Sequence, residues 1–349
     1  MMETRKSVLF MALFLFGFIL ISGCVQQSEL GVVTSLLSVE ITTTTTSITD
    51  ETTTTTMQTT TTSTKVTTTE TKATTTTLRS TELSYTLKKD SGVRVAGGIP
   101  YAYKLENGKI RLYYCENGIS SATSQDGLNF VKDSGTRIDR GCDPTIVKTA
   151  DGKYRMYYKI QSGPGGPGTS IHKIYSAISA DGLSFQAEGL RIDSEKTGDR
   201  GWASVPEAIK LADNRVRIIY VSDDPEAEGG LMSAISTDGL NFIKESGARI
   251  KGNYVDPSIA VLPDGRYWLL MAHNCVPDKG PCAEENGLYA STSLDGLNYT
   301  TPKLVYAAEN TFDPAVVEIN ENNYRIYYGE YGRPEDPMYI KSITVTITQ

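Results

Sequence analysis

From Leu83 onward, apolar and polar residues alternate in short runs separated by Asp-Gly, Asn-Gly or Asn-Asn pairs. That period is the mark of half-buried β-strands joined by tight turns. One kind of run opens on proline: Ile99-Pro-Tyr-Ala-Tyr-Lys-Leu, Asp143-Pro-Thr-Ile-Val-Lys-Thr, Val205-Pro-Glu-Ala-Ile-Lys-Leu, Asp256-Pro-Ser-Ile-Ala-Val-Leu and Asp313-Pro-Ala-Val-Val-Glu-Ile. Proline is tolerated where a strand starts, because the missing ladder donor is not needed there. A turn follows each run, at Asn107-Gly108, Asp151-Gly152, Asp213-Asn214, Asp264-Gly265 and Asn322-Asn323. An aromatic strand comes next, predicted at Ile110–Tyr114, Tyr154–Tyr158, Val216–Tyr220, Tyr267–Met271 and Tyr324–Tyr328. After a variable loop a third strand is predicted, such as Tyr175–Ser179 or Leu231–Ser236. The phrase Ser-x-Asp-Gly-Leu-x-aromatic then opens a fourth, at Ser124–Phe130, Ser179–Phe185, Ser236–Phe242 and Ser293–Tyr299. Its aspartates, at 126, 181, 238 and 295, are 55, 57 and 57 residues apart.

A fixed period of this size marks a repeat architecture. Four antiparallel strands per repeat is the β-propeller blade. The expected fold is therefore all-β, a five-bladed β-propeller with four antiparallel strands per blade. There are five proline-opened strands but only four Ser-x-Asp-Gly phrases. Leu83-Ser-Tyr-Thr-Leu-Lys-Lys-Asp-Ser-Gly-Val-Arg-Val resembles the fourth strands that begin at Leu128 and Leu240. The N-terminal strand is thus expected to close the last blade and leave no open edge. A sandwich or solenoid would not explain a permuted terminal strand. The phrase itself reads as scaffold: Asp-Gly makes the turn, Ser bonds local backbone, and the aromatic packs between blades. Calcium or sugar bound at these aspartates is the alternative.

The residues before the repeat belong to other classes. Arg5 and Lys6 precede an apolar run from Val8 to Ile21, and Ser22 and Gly23 lead to Cys24. This is a secretory signal in charge and length. Ile21-Ser22-Gly23-Cys24 resembles a prokaryotic lipobox, which would make Cys24 the lipidated mature N-terminus. An uncleaved anchor or an ordinary cleaved signal is the other reading. From about Thr42 to Thr77 threonine dominates, with too little apolar surface to offset the entropy of ordering. The expected organisation is a signal over 1–23, a Thr-rich stalk over 24–82 and a propeller over 83–349. The body would sit outside the cytoplasm, at the cell surface, with the membrane as a partner through its anchor. The net charge is −7 and no basic cluster follows the stalk, so nucleic acid is not an expected partner. No cofactor is expected, and a monomer is.

In a blade read this way the loops after strands two and four share one face, the top. They vary, as functional loops on a rigid scaffold do. Asp143, Asp256 and Asp313 start first strands beside the axis. Glu207 stands one strand step deeper, where the other repeats carry Tyr101, Thr145, Ser258 and Ala315. Arg140 and Arg200 lie in two copies of Asp-Arg-Gly, and Trp202 follows the second as a candidate platform for sugar stacking. The only histidines, His172 at the end of a Gly/Pro-rich loop and His273 after a second strand, map to the top. An aspartate before proline can also merely satisfy backbone donors, and a loop histidine can be merely solvated. With Cys24 lipidated, four cysteines remain, an even number that suggests disulfides in an exported chain. Cys275 and Cys282 bracket a Pro/Gly loop and suit a local bridge, which leaves Cys115 with Cys142. A zinc site is the alternative, without a Cys-x-x-Cys to support it.

Five blades, Asp-Pro strand starts and the Ser-x-Asp-Gly-Leu-x-Phe phrases together resemble the five-bladed glycosidase superfamily of arabinanases, xylosidases, invertases and levansucrases. The resemblance spans the body from Leu83. It implies three carboxylates in a central funnel: a blade-one Asp as base or nucleophile, a blade-two Asp before Pro that tunes the site, and a blade-three Glu as acid. One carboxyl must give a proton while another stays ionised. Asp143 matches the blade-two position, though Arg140 lies three residues upstream rather than beside it. The blade-one slot holds Ile99. The usual place of the Glu, two before the Pro, holds Ser204, and Glu207 comes one after it. Two readings follow. In one, the chain is a divergent glycoside hydrolase with Glu207 as acid, an aspartate as base and Arg140 or Arg200 orienting substrate. In the other, it is a non-catalytic surface propeller that binds glycan or protein through Trp202 and neighbouring tyrosines.

Overall fold

The computed structural model describes residues 82–164, 169–273, 285–332 and 337–348. The signal, the stalk, Cys24, Cys275 and Cys282 lie outside them.

The described chain forms five antiparallel sheets and no helix. Blade one is β3 (Gly98–Lys104), β4 (Ile110–Glu116), β5 (Gly118–Ser124) and β6 (Phe130–Lys132). Blade two is β7 (Cys142–Lys148), β8 (Tyr154–Ser162), β9 (Ile171–Ser179) and β10 (Gln186–Ile192). Blade three is β11 (Ala203–Lys210), β12 (Val216–Ser222), β13 (Leu231–Ser236) and β14 (Ile243–Lys244). Blade four is β15 (Tyr254–Val261), β16 (Tyr267–His273), β17 (Gly287–Ser293) and β18 (Lys303–Ala307). Blade five is β19 (Thr311–Asn320), β20 (Asn323–Glu330), β21 (Tyr339–Thr348) and the N-terminal β1 (Ser84–Lys89). β1 runs along β21 from Ser84 opposite Thr348 to Lys89 opposite Ile343, with β2 (Val95–Ala96) continuing on the same strand. The ring is closed as the permuted sequence requires. The proline-opened strands β3, β7, β11, β15 and β19 pack against one another in a ring around the axis.

The repeated phrase is cement between blades. In each copy the Ser hydroxyl accepts the Gly N–H at 2.9 Å, and the Asp Oδ1 accepts two amide N–H bonds at 2.8–2.9 Å. These donors hold the carboxyls of Asp126 and Asp238 well below the usual range. The turn's outward carbonyls are then taken by the preceding blade. Arg111, Arg155, Arg217 and Arg325 donate to the carbonyls of Asp181, Asp238, Asp295 and Asp126. Tyr113, Tyr157 and Tyr327 donate to the next glycine carbonyl, of Gly182, Gly239 and Gly127. Their rings meet Phe185, Phe242 and Phe130 edge-on, as the sequence led us to expect of the aromatic. Blade four holds Trp268 in the arginine's column. The blade it faces, blade five, is the one without the phrase, so donor and acceptor are absent together. Arg155 also grips Glu188 through two charged hydrogen bonds at 2.8 and 2.9 Å. Arg155→Ala should therefore lower unfolding free energy by roughly 2 kcal/mol in urea denaturation, because it leaves Glu188 part-buried without its partner.

Candidate functional site

The five first strands carry one unusual device. Ile99, Asp143, Val205, Asp256 and Asp313, each followed by proline, all have left-handed φ, from 46° to 57°. At each, the pairing with the second strand slips, between Gly98/Tyr101, Cys142/Thr145, Ser204/Glu207, Val255/Ser258 and Phe312/Ala315. Each is a β-bulge, which re-aims a side chain out of the sheet. For β-branched Ile99 and Val205 such a φ costs on the order of 1–3 kcal/mol each. The five bulges line one narrow axial passage, together with Tyr101, Glu207, Ser258 and the five prolines that follow them. Its free volume, about 20 Å³, is room for about one water and far too little for a sugar ring.

Three of the five bulges bring carboxylates together. Asp143, Asp256 and Asp313 are all buried. Lys159, on β8 at the register partner of Cys142, reaches Asp143 Oδ2 at 2.6 Å. Burial works against the Lys159 charge, yet Asp143, Asp313 and Asp256 hold its pKa above the ordinary value. Asp256 Oδ2 accepts the Asp313 N–H at 3.2 Å. Burial, with the Asp143 charge added, lifts the Asp256 carboxyl to about 7. Burial and the Asp256 charge raise Asp313 well above the carboxylate range, although the Tyr331 hydroxyl bonds its Oδ2. The cluster therefore holds an ion pair, Asp143 with Lys159, beside two carboxyls that burial biases toward the protonated form. A proton donor and an ionised carboxylate side by side is the arrangement acid–base chemistry needs. The sequence reading placed the three aspartates here and missed Lys159 and Tyr331. A comparison by column would have found Lys159: the equivalent second-strand positions hold Cys115, Val221, Ala272 and Gly329.

Glu207 lines the passage and is also bonded between blades. Its Oε1 accepts the Ile259 N–H of blade four at 2.9 Å, and its Oε2 accepts the Thr145 hydroxyl of blade two at 3.0 Å. Thr145 in turn accepts the Ala208 N–H at 3.0 Å. The same column does the same work elsewhere. Ser258 accepts the Val316 N–H at 3.0 Å, and the Tyr101 hydroxyl donates to the Ile146 carbonyl at 2.8 Å. Glu207 is one link in a belt of side-chain bonds that runs from the inner strand of blade one to that of blade five, where Ala315 in the same column ends it. Burial lifts its carboxyl to about 8.

The other candidates divide. His172 does not end a loop: it lies inside β9, buried, with hydrogen bonds to Ser170 and Ser204 at 3.1 and 3.0 Å. Burial and then the Lys159 charge push its imidazole down to about 4, so it is neutral beside the acidic cluster. Trp202 stacks on it at 3.7 Å, so one indole face is already covered. His273 is the last residue of β16, buried against Tyr254 and Tyr289, and its Nδ1 has no partner among the described residues. Arg140 and Arg200 are exposed, and the residues lining the passage do not include them. In the second Asp-Arg-Gly it is Asp199 that is buried, bonded by Lys244 and Ser222 at 2.6 Å each. Cys115 and Cys142 form a disulfide that joins blades one and two, with Cα atoms 5.5 Å apart. The Asp143 N–H points at Cys115 Sγ, 3.3 Å away, so the staple sits beside the cluster. Among the described residues no group of three or more His, Cys, Asp or Glu has the arrangement of a metal site.

No protein-family model matches the chain, and no curated protein matches it. Solved structures do. An α-L-arabinanase of Cellvibrio cellulosa in complex with arabinohexaose is 14% identical, with TM-score 0.55, over 72% of this chain and 92% of that one. A family-43 β-1,3-galactosidase with galactodeoxynojirimycin is 15% identical, with TM-score 0.53, over 73% of this chain and 94% of that one. A family-32 β-fructofuranosidase of Bombyx mori, a point mutant in complex with sucrose, is 12% identical, with TM-score 0.53, over 71% of this chain, which spans 59% of it. Likeness at this identity is a statement about architecture. The chain is a five-bladed β-propeller with the fold of the family-43 and family-32 glycosidases.

Proposed function

We propose that the protein acts on glycans at its top face, as a divergent glycoside hydrolase, and that Asp143, Asp256 and Asp313 with Lys159 form its reacting centre. The single observation that carries this is the convergence of three buried carboxylates and one lysine on the axis, an ion pair beside two carboxyls whose proton affinity burial raises. Substrate would lie above the passage and meet the carboxyls from one side, since the passage itself admits about one water. Lys159 pairs with Asp143 at 2.6 Å, and the Tyr331 hydroxyl bonds Asp313. Glu207 has no part in the reaction. The Cys24 lipid and the threonine stalk belong to the same proposal and would place the propeller outside the membrane, against polymeric substrate.

A second reading, glycan recognition without turnover, is favoured by the narrowness of the passage and by Ile99 and Val205 in two of its five slots. Turnover separates the two. The full-length protein in mild detergent is screened on arabinan, xylan, galactan, fructan and aryl-glycosides. Asp143→Asn and Asp256→Asn should each lose roughly 100-fold or more in kcat, the usual contribution of a positioned acid or base. A wild-type protein that is retained by one of these glycans yet releases no product from any of them decides for the second reading.

A further inference from the structure

Beyond the axial site, we infer that the outer seam between blades one and two binds a neutral oligosaccharide. Three other seams are closed by one repeated bond. Arg94, Arg191 and Arg249 each send Nη1 to a leucine carbonyl of the next blade, Leu128, Leu240 and Leu297, at 2.9, 2.8 and 3.2 Å. Arg137 is the equivalent residue of blade one. Its Nη2 bonds Ser134 and Gly135 carbonyls just as Arg94 bonds those of Ser91 and Gly92. Its Nη1, however, meets no acceptor among the described residues, and a groove of about 630 Å³ opens instead. That volume is within the range of small-molecule sites. Arg137 is only 5% exposed, its Nη2 is held by two carbonyls, and it lines the groove, so the guanidinium is buried and fixed there with Nη1 left without an acceptor among the described residues.

The facing wall breaks the repeat as well. In the other three phrases an asparagine caps the second carboxylate oxygen of the turn: Asn129 to Asp126, Asn241 to Asp238 and Asn298 to Asp295, at 2.8, 2.7 and 2.8 Å. Blade two has Ser184 in that place, and Asp181 Oδ2 takes no hydrogen bond from the described residues. One seam therefore frees both a cationic donor and an anionic acceptor that the repeat elsewhere satisfies internally. Adjacent sugar hydroxyls meet both needs, one accepting from Arg137 Nη1 and one donating to Asp181 Oδ2. Phe185 and Tyr158 add aromatic surface to the lining.

The charge of the groove selects the ligand. Arg137 stands against Asp139 and Asp181, a net of −1, which disfavours an anionic polymer. An extended peptide would need backbone donors from the wall, and the Leu183 and Ser184 amides are already given to Asp181. A neutral glycan has neither difficulty. The site would hold a chain at the side of the propeller while the top face works or binds.

The test is affinity electrophoresis of the full-length protein in mild detergent, through gels containing arabinan, xylan, β-1,3-galactan or glucomannan, with polygalacturonate and gelatin as the acidic and peptide comparisons. Ser184→Asn restores the cap that three other blades carry and should fold without penalty. At least one neutral polysaccharide should retard the wild type. Ser184→Asn should weaken that retardation roughly tenfold in apparent Kd, the effect of one charge-assisted bond. Thr136→Trp, which fills the groove from an exposed position, should abolish it, and Asp256→Asn on the axis should leave it intact. Retardation by none of the neutral polysaccharides, retardation by polygalacturonate or gelatin alone, or equal retardation of wild type, Ser184→Asn and Thr136→Trp would each overturn the assignment. Because Asp256→Asn tests the axis separately, failure of the axial reading would not be mistaken for failure of the seam.

Discussion

Glu207→Gln should make the protein more stable at pH 8 than the wild type and no more stable at pH 4. The Glu207 carboxyl is fully enclosed, and burial lifts its pKa from the ordinary 4.5 to about 8. Between those values the folded protein keeps the proton and the unfolded chain releases it. Stability from this group is therefore complete below about pH 4.5 and falls as pH rises through the window to about 8. The loss by pH 8 is on the order of 4 kcal/mol at most. Glutamine has no proton to lose. It keeps an oxygen to accept the Ile259 N–H and an amide to face Thr145, so the belt between blades survives. Asp256 and Asp313 titrate in the same direction and impose their own slope on both proteins, so the difference between the two isolates Glu207. Thermal unfolding from pH 4 to 8 measures it, at about 2–4 °C per kcal/mol for a domain of this size. Parallel curves for the two proteins would contradict the structural assignment of Glu207.

Removal of the Cys115–Cys142 bridge should cost about 3–4 kcal/mol. The bridge closes a loop across a separation of 27 residues, and the loss of chain entropy in the unfolded state sets that magnitude. The seam it staples is also the one that lacks the Arg137 bond to the next blade, so the covalent link works beside the Arg111, Tyr113 and Tyr101 bonds to blade two. The double variant Cys115→Ser/Cys142→Ser avoids any effect of Cys275 and Cys282. Urea denaturation should show a lower midpoint with the slope nearly kept. A cost below about 1 kcal/mol would mean that the seam is held by packing alone.

Most of the scaffold was legible because the chain repeats itself. The phrase around Asp126, Asp181, Asp238 and Asp295 sets the blade period, and the odd strand at Leu83 announces closure by the N-terminus. Spacing and elimination were enough for Cys115 with Cys142. The site was less legible, for physical reasons. A residue before proline ordinarily takes extended φ, and β-branched Ile99 and Val205 resist a positive one. The five bulges that aim the slot residues at the axis thus run against local preference, and only closure of the ring imposes them. Glu207 stood out because it is the one carboxylate in its column, which does not tell a reacting group from a bonding one. Tyr101, Thr145 and Ser258 in the same column are hydrogen-bonding residues too, and they form the belt between inner strands. Lys159 was overlooked because a lysine at the end of a strand reads as solvated. Its burial depends on three aspartates contributed by three different blades, a contact that sequence spacing does not express.

The most direct test of the account sets two isosteric variants against each other on one substrate. On whichever glycan the full-length protein turns over, kcat is measured for wild type, Glu207→Gln and Asp256→Asn at the same pH. Retention of most activity by Glu207→Gln, with a loss of roughly 100-fold or more in Asp256→Asn, is the predicted result. The reverse ranking, with Glu207→Gln inactive and Asp256→Asn active, would place the acid in the belt between blades and contradict it.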